Sequence, residues 1–290
     1  MIAIDDLATI RAHDPLLITD ALARRRRGAV PADPAATMLV VAADHPARGA
    51  LSVGRDLAAM ADRRDLLERC AVALARPGVH GFLGTADLVE DLTLLGALEG
   101  KLVLGSMNRG GLAGAAFELD DRFTGYDADA VAAAGLDGGK MLLRLDYDDP
   151  GSLRTLQACA RAVDSLAAYE LMALVEPFIC SRAADGQLVT DLSTEAVVRS
   201  VAIASGLGGT SAYTWLKLPC VPGMDRVAAA STLPVLMLGG EVADDAEATV
   251  QQWAAAVRLP SVRGLVAGRN LLYPSDGDVA AAVDRVVEVL

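Results

Sequence analysis

The sequence predicts a (β/α)8 barrel with an N-terminal helical extension. Eight short, nearly continuous apolar runs alternate with longer amphipathic segments from about residue 38 to the end. The length of 290 residues suits one such barrel, which typically uses roughly 250 residues. No GxGxxG turn follows the first run, which weighs against the alternative of an open, doubly wound sheet. We expect one domain over residues 1–290, with the extension at 1–37 and the barrel at 38–290.

The apolar runs are expected to be buried parallel strands, because strands covered by helices lack the polar alternation of half-exposed ones. In chain order they are Met38–Ala43, Gly78–Leu83, Lys101–Ser106, Lys140–Leu145, Leu171–Pro177, Thr214–Val221, Pro234–Leu238 and Gly264–Ala267.

Helices are predicted between and after these strands. The clearest patterns cover Arg55–Arg76, Gly151–Tyr169, Thr194–Ser205, Ala243–Arg258 and Gly277–Leu290. Ser193 and Asp278 indicate helix starts, since their side chains can accept hydrogen bonds from first-turn amides. The third and sixth helices of the alternation are expected to be short. The extension is predicted to be helical from about Ile4 to Arg27.

Composition narrows the class of protein. A net charge of −12 repels nucleic acid and anionic membranes, so no such partner is expected. The basic run Arg24–Arg27 is interpreted as a solvated helix end. The four cysteines form no CxxC pair and indicate buried thiols of a reducing cytoplasm. Neither a secretory leader nor an apolar run of about 18 residues is apparent, so we expect a cytoplasmic protein without a membrane span.

One of only three lysines, Lys217, lies within the predicted sixth strand. A lysine facing the helices would bury an ammonium group among apolar side chains at several kcal/mol. We therefore expect Lys217 to face the barrel interior near the mouth, where barrel active sites lie. Burial and a neighbouring cation, such as Lys140, lower a lysine pKa and create a nucleophile for a Schiff base. The alternatives are a structural ion pair of Lys217 with Asp44 or Glu176, and a solvated strand start at Lys140.

Other strand ends carry candidate polar groups. Glu176 is a candidate acid/base, or else a partner for an arginine. Asp44 is expected to hold Lys217 or a substrate hydroxyl, or else to cap the following turn. Arg144 shares a strand face with Lys140 and is a candidate substrate-binding residue.

The last two strands are followed by glycines that suit a phosphate site, which barrels often build there. They are Gly239-Gly240 and Gly268, the latter followed by Arg269. Glycine lets the backbone approach an anion closely, and Arg269 adds a charged fork; ordinary turn glycines are the alternative. Three scattered histidines disfavour a zinc mechanism, and no metal or other cofactor is predicted.

At these residues the chain resembles the class I aldolases of the deoxyribose-phosphate, tagatose-bisphosphate and archaeal-type fructose-bisphosphate aldolase superfamily. The strand Thr214–Pro219 looks like the one that bears the Schiff-base lysine. Lys140–Arg144 is similar to the strand with an accessory lysine, and Val175-Glu176 to the strand with the acid/base glutamate. The segment that contains Asp44 and Arg48 resembles the family's first βα loop. The resemblance places Asp44 in the catalytic shell and makes Arg48 a substrate contact.

The resemblance implies a lysine Schiff-base aldolase that cleaves a phosphorylated keto sugar or keto sugar acid into dihydroxyacetone phosphate and an aldehyde. It also implies a homo-oligomer. Relatives that act on sulfosugar phosphates or deoxy-ketogluconate phosphates leave the substrate open. The alternatives are a phosphate-binding isomerase or synthase that uses Lys217 electrostatically, and a sugar-phosphate sensor without turnover.

Overall fold

A computed structural model describes residues 2–240 and 246–290, and its centre is a closed barrel of eight parallel strands. The described residues form nine strands, eight in the barrel and one beside it: β1 (Met38–Ala42), β2 (Val79–Gly84), β3 (Leu102–Ser106), β4 (Gly138–Leu145), β5 (Met172–Arg182), β6 (Leu188–Asp191), β7 (Thr214–Leu218), β8 (Val235–Leu238) and β9 (Val262–Ala267). Their order is β4-β3-β2-β1-β9-β8-β7-β5, and β4 pairs with β5 to close the ring. The remaining strand, β6, pairs antiparallel with the outer end of β5. The predicted (β/α)8 barrel is thus confirmed.

Helices surround the barrel and precede it. They are α1 (Leu7–His13), α2 (Leu16–Arg24), α3 (Arg63–Ala75), α4 (Ala86–Leu94), α5 (Ala128–Ala133), α6 (Pro150–Ala168), α7 (Thr194–Ser205), α8 (Met224–Ala228), α9 (Ala246–Ala256), α10 (Arg269–Leu272) and α11 (Val279–Val287). The helices after β3 and β7, α5 and α8, have only six and five residues, as expected. Ser193 and Asp278 cap α7 and α11 by accepting backbone amides.

Several predicted boundaries were wrong for local physical reasons. The predicted helix from Arg55 begins only at Arg63, because Asp62 caps it there. The predicted N-terminal helix is split at Pro15, since the residue before a proline is disfavoured in helical conformation. β5 continues past Pro177 because β6 and the end of β4 both supply backbone partners. Of the predicted helix Ala243–Arg258, residues 243–245 lie outside the described residues.

Apolar side chains fill the barrel up to the level of the mouth. Alternate residues along each strand face inward, and ten of them form one buried cluster: Met38, Val40, Ala42, Leu83, Leu102, Leu104, Met172, Leu174, Leu236 and Val266. Trp215 of β7 packs against the same cluster. The next inward position on β7 is Lys217, so the strand that begins among apolar side chains ends with an amine at the mouth.

The extension is held against the opposite, amino-terminal end of the barrel. Arg25 is buried at 6% exposure and donates to the carbonyls of Lys101 and Gly135, and Arg27 pairs with Asp137 at 2.8 Å. The interpretation of Arg24–Arg27 as a solvated helix end was therefore wrong for Arg25, whose guanidinium bonds to strand and helix ends.

Two further expectations concern the surface. No helix among the described residues is long and apolar enough to cross a membrane. Three of the four cysteines are buried, whereas Cys220 is partly exposed, which corrects the expectation that all four are buried.

Candidate active site

Four charged side chains meet inside the barrel where the strands end. Lys217 lies on β7, Glu176 on β5 and Lys140 on β4, and Asp44 follows β1. Each is at most 7% exposed. The strand register accounts for the inward position of Lys140. Lys140 pairs with Ser106 of β3 and with Leu174 of β5, whose side chain faces the barrel interior. Lys140 is therefore a buried interior residue, which contradicts its alternative interpretation as a solvated strand start.

Glu176 joins the two lysines through its two carboxylate oxygens. Its Oε1 lies 2.7 Å from Lys217 Nζ, and its Oε2 lies 2.5 Å from Lys140 Nζ. Both amines thus contact one carboxylate, and a proton can pass between them through it. The ion pair between Lys217 and Glu176 is compatible with a structural role for Lys217 and also with a nucleophilic one.

Asp44 is held by three donors. Its Oδ2 lies 3.2 Å from Lys140 Nζ and 3.1 Å from Arg109 Nη1, and it accepts a hydrogen bond of 2.9 Å from Ser106 Oγ. Asp44 thus contacts Lys140, while Lys217 pairs with Glu176. Arg109 and Ser106 were not among the predicted site residues, and only their positions, just beyond and at the end of β3, could have indicated them.

The charges determine how these groups ionise. Burial raises the pKa of Glu176, but Lys140 and Lys217 outweigh it and lower the pKa to about 2. Burial also opposes ionisation of Asp44, yet Lys140 and Arg109 hold its pKa well below its ordinary value. Burial lowers the pKa of Lys140 to about 8, although Asp44 and Glu176 act in the opposite direction. Near neutral pH the carboxylates are ionised and Lys140 is close to giving up its proton.

The segment between β3 and α5 covers one side of the mouth. Asn108 fastens it to β4, because its side chain donates to the carbonyl of Leu142 and accepts from the Leu142 amide. Further along, Glu118 accepts hydrogen bonds from Arg144 through its carboxylate and through its carbonyl oxygen, the latter at 2.8 Å. Arg48 Nη2 lies 3.8 Å from the same carboxylate. Arg48 and Arg144 are thus brought together by Glu118, which was not among the predicted site residues.

The glycine loops after β8 and β9 are also joined. Asn270 Nδ2 donates to the carbonyl of Gly239 at 2.8 Å. Gly240 has a φ of 71°, in the left-handed region that favours glycine. A Cβ on Gly268 would lie 2.4 Å from the carbonyl oxygen of Ala42, so the close approach of β1 already requires glycine there. Glu241, which follows Gly240 in the chain, lies outside the described residues.

His45 lies next to Asp44 and close enough to Arg269 to feel its charge. Its Nδ1 is 3.9 Å from Asp44 Oδ1. Burial lowers its pKa to about 3, and Arg269 and Lys217 add to this effect against Asp44. The imidazole is therefore neutral at physiological pH.

Two surface cavities lie away from this chemistry. One of about 370 Å³ is lined by Cys220, Met224 and Gln252, among others. The other, of about 380 Å³, lies at the amino-terminal end of the barrel beside Arg27 and Trp215. Because neither contains an ionisable cluster like that of Lys217, the chemistry of the side chains locates the candidate site at the barrel mouth.

Comparison with known proteins now defines the family. The sequence profile of the Cgl0159-like family matches residues 36–287. The chain belongs to this family. The crystal structure of Cgl0159 from Corynebacterium glutamicum (Brevibacterium flavum) is 49% identical and superposes with a TM-score of 0.95, covering 100% of this chain and 98% of that one. No curated protein matched the chain.

More distant structures share the fold of this Cgl0159-like chain. An archaeal fructose-1,6-bisphosphate aldolase, whose catalytic lysine is covalently bound to the carbinolamine intermediate, is 16% identical with a TM-score of 0.63, covering 94% of this chain and 98% of that one. The fructose-bisphosphate aldolase of Slackia heliotrinireducens is 17% identical with a TM-score of 0.62, covering 87% and 85%. At these identities the likeness shows an aldolase-like barrel fold.

Proposed function

We propose that this protein is a class I aldolase that forms a Schiff base between Lys217 and the ketone of a phosphorylated keto sugar or keto sugar acid. The observation that carries the proposal is the buried unit Lys140–Glu176–Lys217, in which one carboxylate contacts two amines at 2.5 and 2.7 Å inside the barrel mouth. The aldolases that share the fold support it, including the one trapped as a carbinolamine.

The unit can supply the free amine that the reaction needs. An amine attacks a carbonyl only after it has lost its proton. The pKa of Lys140 is about 8, so the unit gives up one proton near physiological pH. Because Glu176 contacts both lysines, a proton of Lys217 can pass through its carboxylate to Lys140, which leaves Lys217 neutral.

Proton transfers then follow around Glu176. Neutral Lys217 Nζ attacks the ketone carbon, and Glu176 carries one of the two amine protons to the carbonyl oxygen, which gives a carbinolamine. Lys140 then protonates Glu176, and Glu176 passes this proton to the carbinolamine hydroxyl, which leaves as water as an iminium ion forms. Ionised Glu176 then takes the proton of the substrate hydroxyl as the C–C bond breaks, so that the hydroxyl carbon leaves as an aldehyde and the electron pair of the bond moves into the iminium ion to give an enamine. Protonation of the enamine carbon and addition of water then release the second product and free Lys217. Asp44 keeps Lys140 in contact with Glu176 and is a candidate acceptor for a substrate hydroxyl.

Substrate binding is proposed at the loops after β8 and β9. Backbone amides of Gly240 and Gly268, together with the Arg269 guanidinium, suit a phosphate group. Gly239, whose amide donates to the Val266 carbonyl at 3.0 Å, is proposed to shape the loop around that phosphate. We propose Arg48 and Arg144 as further substrate contacts on the other side of the mouth. The products are then dihydroxyacetone phosphate and an aldehyde, and the enzyme acts in the cytoplasm as a homo-oligomer.

Reductive trapping tests the proposal. The protein is incubated with dihydroxyacetone phosphate and borohydride, and the modified peptide is identified by mass spectrometry. We expect an adduct on Lys217, its loss in Lys217→Met, and its retention in Lys101→Arg, since the Lys101 side chain donates to the Val79 carbonyl at the other end of the barrel.

The alternatives give different results. A barrel isomerase or synthase that uses Lys217 electrostatically would yield no adduct at saturating dihydroxyacetone phosphate, which refutes the proposal. A sensor would yield the adduct without releasing a triose phosphate from any ketose phosphate. A screen of ketose phosphates for triose-phosphate release therefore completes the test.

A further inference from the structure

Three arginines lie near one another at the mouth: Arg48 from the first loop, Arg109 from the segment after β3, and Arg144 from the end of β4. Glu118 links Arg48 with Arg144, and Arg109 contacts Asp44. The pKa of Arg48 is lowered to about 10, first by burial and then by the like charges of Arg144 and Arg109. The three guanidinium groups therefore form one cluster, here called the arginine cluster.

Each guanidinium of the arginine cluster has one buried nitrogen that finds no hydrogen-bond partner among the described residues. These nitrogens are Nη1 of Arg48, Nη2 of Arg109 and Nε of Arg144. Arg109 and Arg144 are each only 5% exposed. A buried donor without an acceptor is unfavourable, and an oxyanion supplies acceptors for several donors at once.

The arginine cluster lies across the mouth from the glycine loops. Around the ring, β3 and β4 are the strands opposite β8 and β9. Arg144 lies on β4, and Arg109 lies in the segment that follows β3. Lys217 on β7 and Glu176 on β5 lie on one side between these two ends. A linear substrate that is held at the glycine loops and bound to Lys217 therefore extends toward the arginine cluster.

The balance of charge decides which anion fits. The arginine cluster is already paired with carboxylates, because Arg109 contacts Asp44, Arg48 and Arg144 contact Glu118, and Arg144 also contacts Asp121. Little positive charge is therefore left for a ligand to neutralise. A carboxylate brings a single negative charge, whereas a phosphate monoester carries about −1.5 to −2, so the carboxylate is the better match.

We propose that the arginine cluster binds a carboxylate at the end of the substrate remote from its phosphate, so that the substrate is a phosphorylated keto sugar acid. The phosphate end of this assignment rests on the proposed function. The carboxylate end rests on the arginine cluster alone.

Binding of small probes tests the carboxylate end without turnover. Calorimetry measures the affinity of glycerate and of glycerol 3-phosphate for the wild type, for the two cluster variants Arg109→Gln and Arg48→Gln, and for Arg269→Gln at the glycine loops. The matched control is Arg122→Gln, an arginine of the same segment whose side chain is 66% exposed and pairs with Asp120. We expect both cluster variants to bind glycerate at least about tenfold more weakly than the wild type. The control should bind it with the affinity of the wild type. Arg48→Gln leaves the contact between Arg109 and Asp44 in place, so it keeps the test valid if Arg109→Gln folds poorly.

Three results would overturn the carboxylate site: no binding of glycerate to the wild type, equal binding in the cluster variants, or loss of glycerate binding only in Arg269→Gln. A dependence of glycerol 3-phosphate binding on Arg109 rather than on Arg269 would also overturn it, because the arginine cluster would then be a phosphate site.

Condensation reactions distinguish this inference from the proposed function. Dihydroxyacetone phosphate is offered with three matched acceptors that end in a hydroxymethyl group, a carboxylate or a phosphate: glyceraldehyde, 2-hydroxy-3-oxopropanoate and glyceraldehyde 3-phosphate. We expect kcat/KM to be about tenfold or more higher for the carboxylate, and this preference to vanish in Arg48→Gln. A preference for the phosphate acceptor contradicts the inference alone. Failure of every acceptor, with no adduct on Lys217, contradicts the aldolase, and the glycerate measurement still decides the carboxylate site.

Discussion

Replacing Glu176 by glutamine removes the one carboxylate that Lys140 and Lys217 share. Glutamine keeps the shape of the side chain but cannot carry the charge. Lys140 keeps Asp44 as a partner at 3.2 Å. Lys217, at 5% exposure, loses its contact at 2.7 Å. We expect Glu176→Gln to be less stable than the wild type at neutral pH, because a buried ammonium loses its counter-ion.

The size of the effect follows from the pKa of Glu176, which is lowered from 4.5 to about 2 in the folded protein. At 1.36 kcal/mol per unit, this shift corresponds to about 3 kcal/mol of stability at pH 7. Because the folded pKa lies below the unfolded one, the contribution is complete well above pH 4.5 and is lost as the pH falls toward 2. At pH 3 only about 1 kcal/mol remains.

Urea unfolding at pH 7, pH 4 and pH 3, followed by circular dichroism, measures the difference between the two proteins. The matched control is Glu195→Gln, since Glu195 pairs with Arg226 but its side chain is 64% exposed. We expect that control to change stability by less than about 1 kcal/mol. Equal stability of the wild type and Glu176→Gln at pH 7, or a penalty that does not shrink on acidification, would refute the argument.

Two further predictions concern the same site. The rate of reductive trapping should rise as the pH passes about 8, where Lys140 gives up its proton. In Lys140→Arg the side chain stays charged, so this rise should occur at a pH about one unit or more higher. An unchanged pH profile in Lys140→Arg would contradict the proton transfer between the two lysines. Gly111→Ala should destabilise the segment over the mouth by about 1–3 kcal/mol, because its Cβ would lie 2.3 Å from the Glu118 carbonyl oxygen. Gly206→Ala is the control, since its Cβ would meet nothing closer than 3.7 Å, and equal urea midpoints for the two variants would count against this packing.

The sequence predicted the barrel and the meeting of its main charged groups, for a simple geometric reason. Strand side chains alternate, and parallel strands in a barrel end at the same rim. An inward lysine on β7, a glutamate on β5 and a lysine on β4 therefore had to converge once the runs were assigned as strands. The same reasoning placed Asp44 beside them, although it did not show that Asp44 contacts Lys140.

Groups outside the periodic pattern could not be predicted in this way. Arg109 and Glu118 lie in a long irregular segment, and their partners Asp44 and Arg144 come from other strands. The strand β6 was missed because none of its residues is buried, so it has no apolar pattern and exists only as the partner of β5. Arg25 was misjudged since its acceptors are backbone carbonyls that the three-dimensional fold brings to it.

A crystal structure of the protein soaked with dihydroxyacetone phosphate shows whether Lys217 bonds covalently to the substrate. We expect continuous electron density from Lys217 Nζ to the former carbonyl carbon, with Glu176 turned toward the new bond and the phosphate at the loops after β8 and β9. A ligand bound at the mouth with no covalent link, beside a Lys217 still paired with Glu176, would contradict the proposed Schiff base.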